Sequence, residues 1–295
     1  MSKLVTIYGG SGFVGRYIAR RMAQSGWRVR VAVRHPNDAM FVKPYGVVGQ
    51  VEPVFCNIRD DASVAQVMTG ADAVVNCVGI LAEAGANRFD AVQAEGAARI
   101  ARLAAENGVA RMVHVSAIGA DEHSESAYSR TNALGEKSVL DSFPNAVILR
   151  PSIIFGAEDQ FFNRFGSMAR NSPFLPVVGA ATKFQPEYVD DVVQAAAMGI
   201  TGDAEPGVYE LGGPEVASFR ALMEKLLGVI RRRRLLISVP FWAARIMAFS
   251  FDMAQAATFG LFQIGLLTRD QVKNLARDNV VSEDAKSFAD LGITP

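Results

Sequence analysis

Two sets of residues in this chain have the types and spacing to do chemistry together: a glycine-rich turn, Gly9-Gly10-Ser11-Gly12-Phe13-Val14-Gly15, and a basic pair, Arg34 and His35. The turn ends an apolar, β-branched run from Lys3 to Tyr8 and is followed by helical patterning from Arg16 to Gln24, so it joins a strand to a helix. Glycines at such a join let the backbone turn sharply, admit a pyrophosphate where a Cβ would obstruct it, and seat the helix close to the strand. The helix N-terminus then presents free N–H groups and a partial positive charge to the phosphates. The expected ligand is a dinucleotide; the competing reading is a glycine-rich turn that binds nothing.

Arg34 and His35 follow a second strand, Arg28 to Val33, at the point that faces the adenosine ribose in a site of this kind. A carboxylate here would accept from the ribose hydroxyls and repel a 2′-phosphate. A guanidinium can instead take that phosphate by two parallel, charge-assisted bonds. Arg34 therefore points to NADPH over NADH, against the plainer reading of a solvated loop residue.

The elements that must position these groups recur as alternating strands and helices. Val51 to Cys56 leads into Asn57 and Ile58, where the Asn57 side-chain oxygen can accept from an adenine amino group. Ala73 to Val78 ends in Cys77, Val78 and Gly79, placed to pass under a cofactor. Arg111 to Val115 ends in Ser116 and Ala117, and Ala146 to Leu149 runs on to Pro151, Ile153 and Ile154. Between them, alanine-rich segments such as Ala91 to Asn107 favour helix. This order predicts an α/β fold, a Rossmann-type doubly wound parallel sheet with ligand groups at the strand C-termini. Residues 1–156 form the nucleotide-binding unit, with 185–212 returning to it, and 157–184 with 213–295 form a smaller, mostly helical C-terminal lobe. Its helices are expected at Phe219 to Ile230, Phe241 to Ala257 and Thr268 to Arg277, the last opening with the capping-box pair Thr268 and Gln271.

The spacing G-x-x-G-x-x-G of Gly9, Gly12 and Gly15 resembles the short-chain dehydrogenase/reductase superfamily, in an atypical extended form. In that superfamily a serine after the fifth strand and a Tyr-x-x-x-Lys pair on the next helix hold a carbonyl substrate, the lysine lowering the tyrosine pKa. The resemblance puts Ser116 and Tyr128 in those places, but Asn132 stands where the lysine would be. A phenol titrates near pH 10, so half ionisation near neutrality requires a shift of about three units, roughly 4 kcal/mol. A neutral amide supplies no such field. Lys137 lies about 140° further round the helix from position 132 and cannot stand in. Ser116 and Tyr128 are therefore read as lining a bound cofactor, with no residue assigned as catalytic.

Longer stretches are more specific. The run Tyr128 to Lys137 (YSRTNALGEK), the stretch Leu149 to Phe165 (LRPSIIFGAEDQFFNRF), the phrase Phe184 to Val192 (FQPEYVDDV), and the tail segments Leu267 to Lys273 and Asp278 to Val281 resemble one family. It is the nucleotide-binding accessory subunit of respiratory complex I, subunit nine of the alpha subcomplex, with its bacterial counterparts. The resemblance covers nearly the whole chain. It implies a tightly held NADPH with a structural role and no turnover, other complex I subunits as partners, and, in a bacterium, a peripheral place on the cytoplasmic face of the cell membrane. The residues leave two other uses open: a free NADPH-dependent reductase or epimerase, and a sensor of the NADPH to NADP ratio.

Composition is compatible with each. The chain has 295 residues, half of them hydrophobic, and a formal charge of zero, enough for a full core and with no sign of a nucleic-acid partner. Cys56 and Cys77 fall in predicted buried strands and read as reduced core residues, while His35, His114 and His123 are too scattered to suggest a metal site. Residues 1–12 already make the first strand and turn, so no targeting segment is expected. Arg231 to Arg234 is a run of four arginines ahead of an apolar stretch to Leu267 whose only charges are Arg245 and Asp252. Its longest uncharged piece, Met253 to Thr268, has 16 residues, fewer than the about 20 needed to span a bilayer. It is either a helix pair packed on the first unit with a solvated basic loop, or a surface that docks on other subunits or on lipid headgroups.

Overall fold

The computed structural model describes residues 2–257 and 268–295, so most of the uncharged piece 253–268 lies outside the described residues. In chain order the elements are β1 (Leu4–Tyr8), α1 (Phe13–Gln24), β2 (Arg28–Val33), β3 (Val51–Phe55), α2 (Asp61–Met68), β4 (Ala73–Asn76), α3 (Glu95–Glu106), β5 (Arg111–Val115), α4 (Ala127–Ser142) and β6 (Val147–Pro151). They continue with β7 (Ile154–Phe155), α5 (Phe162–Asn171), β8 (Phe174–Val178), β9 (Lys183–Phe184), β10 (Glu187–Tyr188), α6 (Val189–Thr201), β11 (Gly207–Leu211), β12 (Ala217–Ser218), α7 (Phe219–Val229), β13 (Leu235–Val239), α8 (Phe241–Ala257) and α9 (Arg269–Asn274).

Seven strands form one parallel sheet in the order β11-β6-β5-β4-β1-β2-β3. Strands β1 and β4 are buried along their full length because helices cover both faces of the sheet, which is why their sequences read as largely apolar runs rather than alternations, with Thr6 and Asn76 the buried polar residues among them. Val5 and Ile7 point to the face covered by α1 and α6, while Tyr8 and Val74 point to the face covered by α2, α3 and α4. Strand β1 sits between β2 and β4, and the chain winds away from it in opposite directions. That reversal opens a crevice beyond the strand C-termini, the place where ligands bind in sheets of this type. The glycine turn leaves β1 at that point.

The smaller lobe is built around Phe161, Phe165, Leu175, Phe184, Phe219 and Met223. It is less purely helical than its sequence suggests. Strand β13 pairs in parallel with β8 from Phe174 to Val178, and β12 pairs with β9. The apolar stretch after the four arginines thus begins as a strand, which its length of five residues and its neighbouring turn left indistinct from a connector. The tail also departs from the division at residue 213: Phe288, Leu291 and Ile293 bury in the core of the first unit, and Lys286 bridges to Tyr209 of β11. The expected helix from Ala91 to Asn107 resolves into a π-helical turn, Asp90–Ala94, followed by α3.

Candidate cofactor site

At the turn, Gly9 has φ +74°, Gly10 N–H donates to Ile7 O at 3.2 Å and Gly12 N–H to Gly9 O at 2.9 Å. A Cβ on Gly15 would lie 2.5 Å from Gly9 O and 2.7 Å from Gly10 Cα, so α1 approaches the turn as closely as glycine permits. The N-cap Gly12 supplies no side-chain bond to the first helical turn, leaving those N–H groups for a ligand. Ser11, Phe13 and Val14 are half-buried around this opening, and Arg16 folds back to donate to Ser11 O at 3.0 Å and Gly12 O at 3.2 Å. A cradle of bare backbone at a helix N-terminus fits a pyrophosphate.

On the adenosine side, Arg34 and His35 are exposed at the end of β2. Arg34 Nη1 donates to Asn87 Oδ1 at 3.2 Å, and His35 precedes a 3-10 helix, Pro36–Tyr45. Asn57 lies at the end of β3, but its Oδ1 already accepts from Arg59, at 3.2 Å from the backbone N–H and 3.4 Å from Nε. The oxygen expected to meet adenine is thus shared with Arg59. Ile58 packs against Gly96 of α3, and its carbonyl accepts from Arg99 at 2.9 Å.

At the far end, Asn76 Oδ1 accepts from Val78 N–H at 3.1 Å and shapes the strand end, while Cys77 N–H donates to Tyr8 O at 2.9 Å. Cys77 and Val78 press against Gly9, and Gly79 is exposed beyond them. Burial pushes the Cys56 thiol up to about 11 and the Cys77 thiol up to about 12, so both stay protonated and unreactive. Burial likewise brings His114 down to about 4, a neutral ring whose Nδ1 meets Asn76 Nδ2 at 3.1 Å. Pro151 and Ile153 turn their carbonyls to Ile118 N–H and Glu187 N–H, both at 3.0 Å. Ile154 pairs with Glu187, and Gly156 abuts the ring of Phe13, bringing this segment back to the glycine turn.

Ser116 and Tyr128 face different environments. The Ser116 hydroxyl donates to the buried carboxylate of Glu136, which also receives Arg150 Nη2 at 2.6 Å and Nε at 3.0 Å; Arg150 reaches Glu210 at 3.4 Å. Ala117 is half-buried beside it. Tyr128 meets Phe89 edge to face, with ring centroids 6.0 Å apart. Burial raises its phenol above the ordinary value, the neighbouring Asn132 amide opposes this, and the Asp270 carboxylate adds to it. Among the described residues no cation attends the phenol: Lys137 is exposed and pairs with Glu122 at 3.7 Å. Asn132 Nδ2 is buried with no hydrogen-bond partner among the described residues.

Three features of this neighbourhood escape a reading by motif. Asn132 and Glu136 follow Tyr128 at successive intervals of four on α4, a spacing that puts all three on one face and could have drawn attention to Glu136. Asp270 of α9 lies 142 residues from Tyr128 in sequence yet accepts from its N–H at 3.1 Å, from Ala127 N–H at 2.7 Å and from Ser126 Oγ at 2.7 Å. No local pattern announces such a contact. Glu187 is fully buried on β10, and among the described residues no group lies at hydrogen-bond distance from its carboxylate oxygens; desolvation holds its carboxyl well above the usual range, the nearby Ser152 backbone N–H opposes this and Asp191 adds to it.

Glu187 carries a pH prediction. Between the ordinary glutamate pKa and the raised folded value, the native state binds a proton that the unfolded chain has lost, so stability falls as pH rises through that window. Glu187→Leu removes the penalty. Thermal unfolding of the variant is expected to match the parent near pH 4 and to exceed it increasingly toward neutrality, by up to about 1.4 kcal/mol for each pH unit inside the window. A difference that stayed constant with pH would mean that Glu187 ionises freely in the fold.

A family model for NAD(P)H-binding proteins matches residues 9–153, the span from the glycine turn to Ile153, so a nicotinamide dinucleotide is the cofactor class of this unit. Of solved structures, the dTDP-glucose 4,6-dehydratase DesIV from Streptomyces venezuelae, with NAD and TYD bound, superposes with a TM-score of 0.68 at 20% identity, covering 80% of this chain and 84% of that one. It shares the fold. The NADH-ubiquinone oxidoreductase 40 kDa subunit of Neurospora crassa mitochondria is 30% identical over 98% of this chain and 75% of its own length. The mitochondrial NADH dehydrogenase [ubiquinone] 1 alpha subcomplex subunit 9 of Arabidopsis thaliana is 35% identical over 99% of this chain and 74% of its own. With the glycine turn and this end-to-end similarity together, the chain belongs to the family of the complex I alpha subcomplex subunit 9.

Proposed function

We propose that this chain is an NADPH-binding accessory subunit of respiratory complex I, in which the nucleotide is held and not turned over. The observation that carries the reading is Tyr128: its phenol is pushed up by burial, has Asn132 and Asp270 for neighbours, and among the described residues lacks any cation to bring it toward neutral pH. NADPH would bring a transferable hydride, but the chain offers no acid poised to complete a carbonyl reduction. Gly9 to Gly15, Arg34, His35, Asn57, Ile58, Cys77 to Gly79, Ser116, Ala117, Tyr128, Pro151, Ile153 and Ile154 would surround the nucleotide, with Arg34 selecting the 2′-phosphate. Bound at a thousand times its dissociation constant, such a ligand stabilises the folded state by about 4 kcal/mol, which makes it a structural brace.

In this reading residues 1–156 with 185–212 form the nucleotide unit, and the smaller lobe carries the docking surface. Leu235 and Ile237 of β13, and Trp242, Met247 and Phe249 of α8, are exposed beside Arg231 to Arg233. Among the described residues no helix is long and apolar enough to cross a membrane. An apolar face rimmed by arginines suits other subunits and anionic headgroups at the surface of the cell membrane, on its cytoplasmic side in a bacterium.

The test is to solubilise native membranes in mild detergent and capture this chain, reading co-purifying proteins by mass spectrometry and retained nucleotide by absorbance near 340 nm. Complex I subunits with about one non-exchanging NADPH per chain are the expected result. A soluble, monodisperse protein that oxidises NADPH with a carbonyl substrate would overturn the proposal. Reversing Arg231 to Arg233 to glutamate should release the chain from membranes. Arg234 is left out because its Nε is engaged by Ala169 O at 2.7 Å.

A further inference from the structure

We propose that Arg59 is a second anchor for the 2′-phosphate, acting with Arg34 so that two guanidiniums form one dianion site. The inference rests on the NADPH reading above and adds a residue that no fingerprint at the end of β2 contains.

Arg34 leaves the sheet after β2 and Arg59 after the neighbouring strand β3, yet both side chains converge on one short turn. Arg34 Nη1 donates to Asn87 Oδ1 at 3.2 Å, and Arg59 Nη1 donates to the carbonyl of the adjacent residue, Ala86, at 3.0 Å. The turn itself is closed by Ala84 and Asn87, which exchange backbone hydrogen bonds of 3.1 Å and 3.0 Å. Asn57 Oδ1 fixes the other side of Arg59 through Nε at 3.4 Å. Each guanidinium is thus oriented by amide and carbonyl oxygens, which align it without neutralising its charge.

The nearby carboxylates are committed elsewhere. Asp60 caps α2 through Ser63 N–H at 3.3 Å, and Asp61 is taken by Arg99 and Arg102. Among the described residues neither Arg34 nor Arg59 has a carboxylate within salt-bridge distance. Two fixed cations gathered on consecutive residues repel each other, and a phosphate monoester, with close to two negative charges and three acceptor oxygens, removes that repulsion while using both forks. Two ribose hydroxyls cannot. The position also follows from the sheet: a bound ribose would lie at the end of β2, next to a pyrophosphate on the β1 turn, and β3 is the adjoining strand on that side.

The experiment titrates the full-length chain calorimetrically with NADPH and NADH, and with adenosine 2′,5′-bisphosphate and 5′-AMP as probes of the phosphate alone. Arg59→Gln is expected to weaken NADPH and the bisphosphate about tenfold or more while NADH and 5′-AMP change by less than about twofold. Arg59→Lys, which keeps charge but loses the fork, should recover part of the preference. Asn87→Asp, which gives Arg34 a standing carboxylate partner, should also lower NADPH affinity selectively. If Arg59→Gln leaves the NADPH to NADH ratio intact while Arg34→Gln abolishes it, Arg59 is no anchor although the NADPH reading survives. If the parent chain binds both nucleotides equally, the NADPH reading fails and the anchor with it.

Discussion

A Gly15→Val variant is expected to retain no NADPH through gel filtration and to lose the thermal stabilisation that added NADPH gives the parent. The reason is backbone against backbone. The new Cβ would lie 2.5 Å from Gly9 O and 2.7 Å from Gly10 Cα, and neither atom can rotate away as a side-chain end could. The turn must therefore open or α1 must move back from β1. Overpacking a tight site costs about 1–3 kcal/mol even where side chains can yield, so the penalty here lies at or above that range. Gly70→Ala is the control: Gly70 has φ +71° but nothing within 4 Å of its Cβ position. It should lose only the about 1–2 kcal/mol of left-handed strain and bind NADPH as before. Stoichiometric NADPH on Gly15→Val, at the parent's unfolding temperature, would show that the close approach of α1 to the turn is dispensable.

Much of this unit is legible in sequence because its signals are local. Strands β2, β5 and β11 fall where apolar runs bounded by turns place them, and the Thr268 and Gln271 capping box is present on α9. Buried parallel strands and a glycine turn each write their requirements into fewer than ten consecutive residues. What stays hidden is set by distance in sequence. Asp270 reaches α4 across more than a hundred residues, Arg59 is drawn toward Arg34 only through a turn at 84–87, and β13 finds β8 only because the lobe core around Phe219 brings them together. At Asn57 the hidden part is a neighbour: Arg59, two residues on, also donates to its side-chain oxygen.

The second large effect is expected at Glu136. Glu136→Ala should lower the unfolding temperature by roughly 6–20 °C, corresponding to about 3–5 kcal/mol for breaking a buried ion pair in a chain of this size. Glu136 is 3% exposed and its carboxylate takes Ser116 and the fork of Arg150 together, so among the described residues its removal leaves a half-buried guanidinium with only Glu210 at 3.4 Å and a buried hydroxyl with no acceptor. Most of the loss reflects the stranded partners rather than the net worth of the pair. The triple variant Glu136→Leu, Arg150→Met and Glu210→Gln should therefore recover much of it, since it removes the pair together with the buried Glu210 carboxylate that losing Arg150 would strand. The network does not stop at β6. Glu210 also accepts from Ser282 N–H at 2.8 Å, so the polar chain that fixes Ser116 beside the candidate site fastens the C-terminal tail to β11, while a separate bond, Ser152 Oγ to Asn279 Oδ1 at 2.7 Å, ties the tail to the residue after β6. Limited proteolysis separates the two contributions. If the network holds the tail, Glu136→Ala will expose residues 278–295 to cleavage before global unfolding, and NADPH will protect them. If cleavage follows unfolding alone, Ser116, Glu136 and Arg150 support the core without joining the nucleotide to the tail.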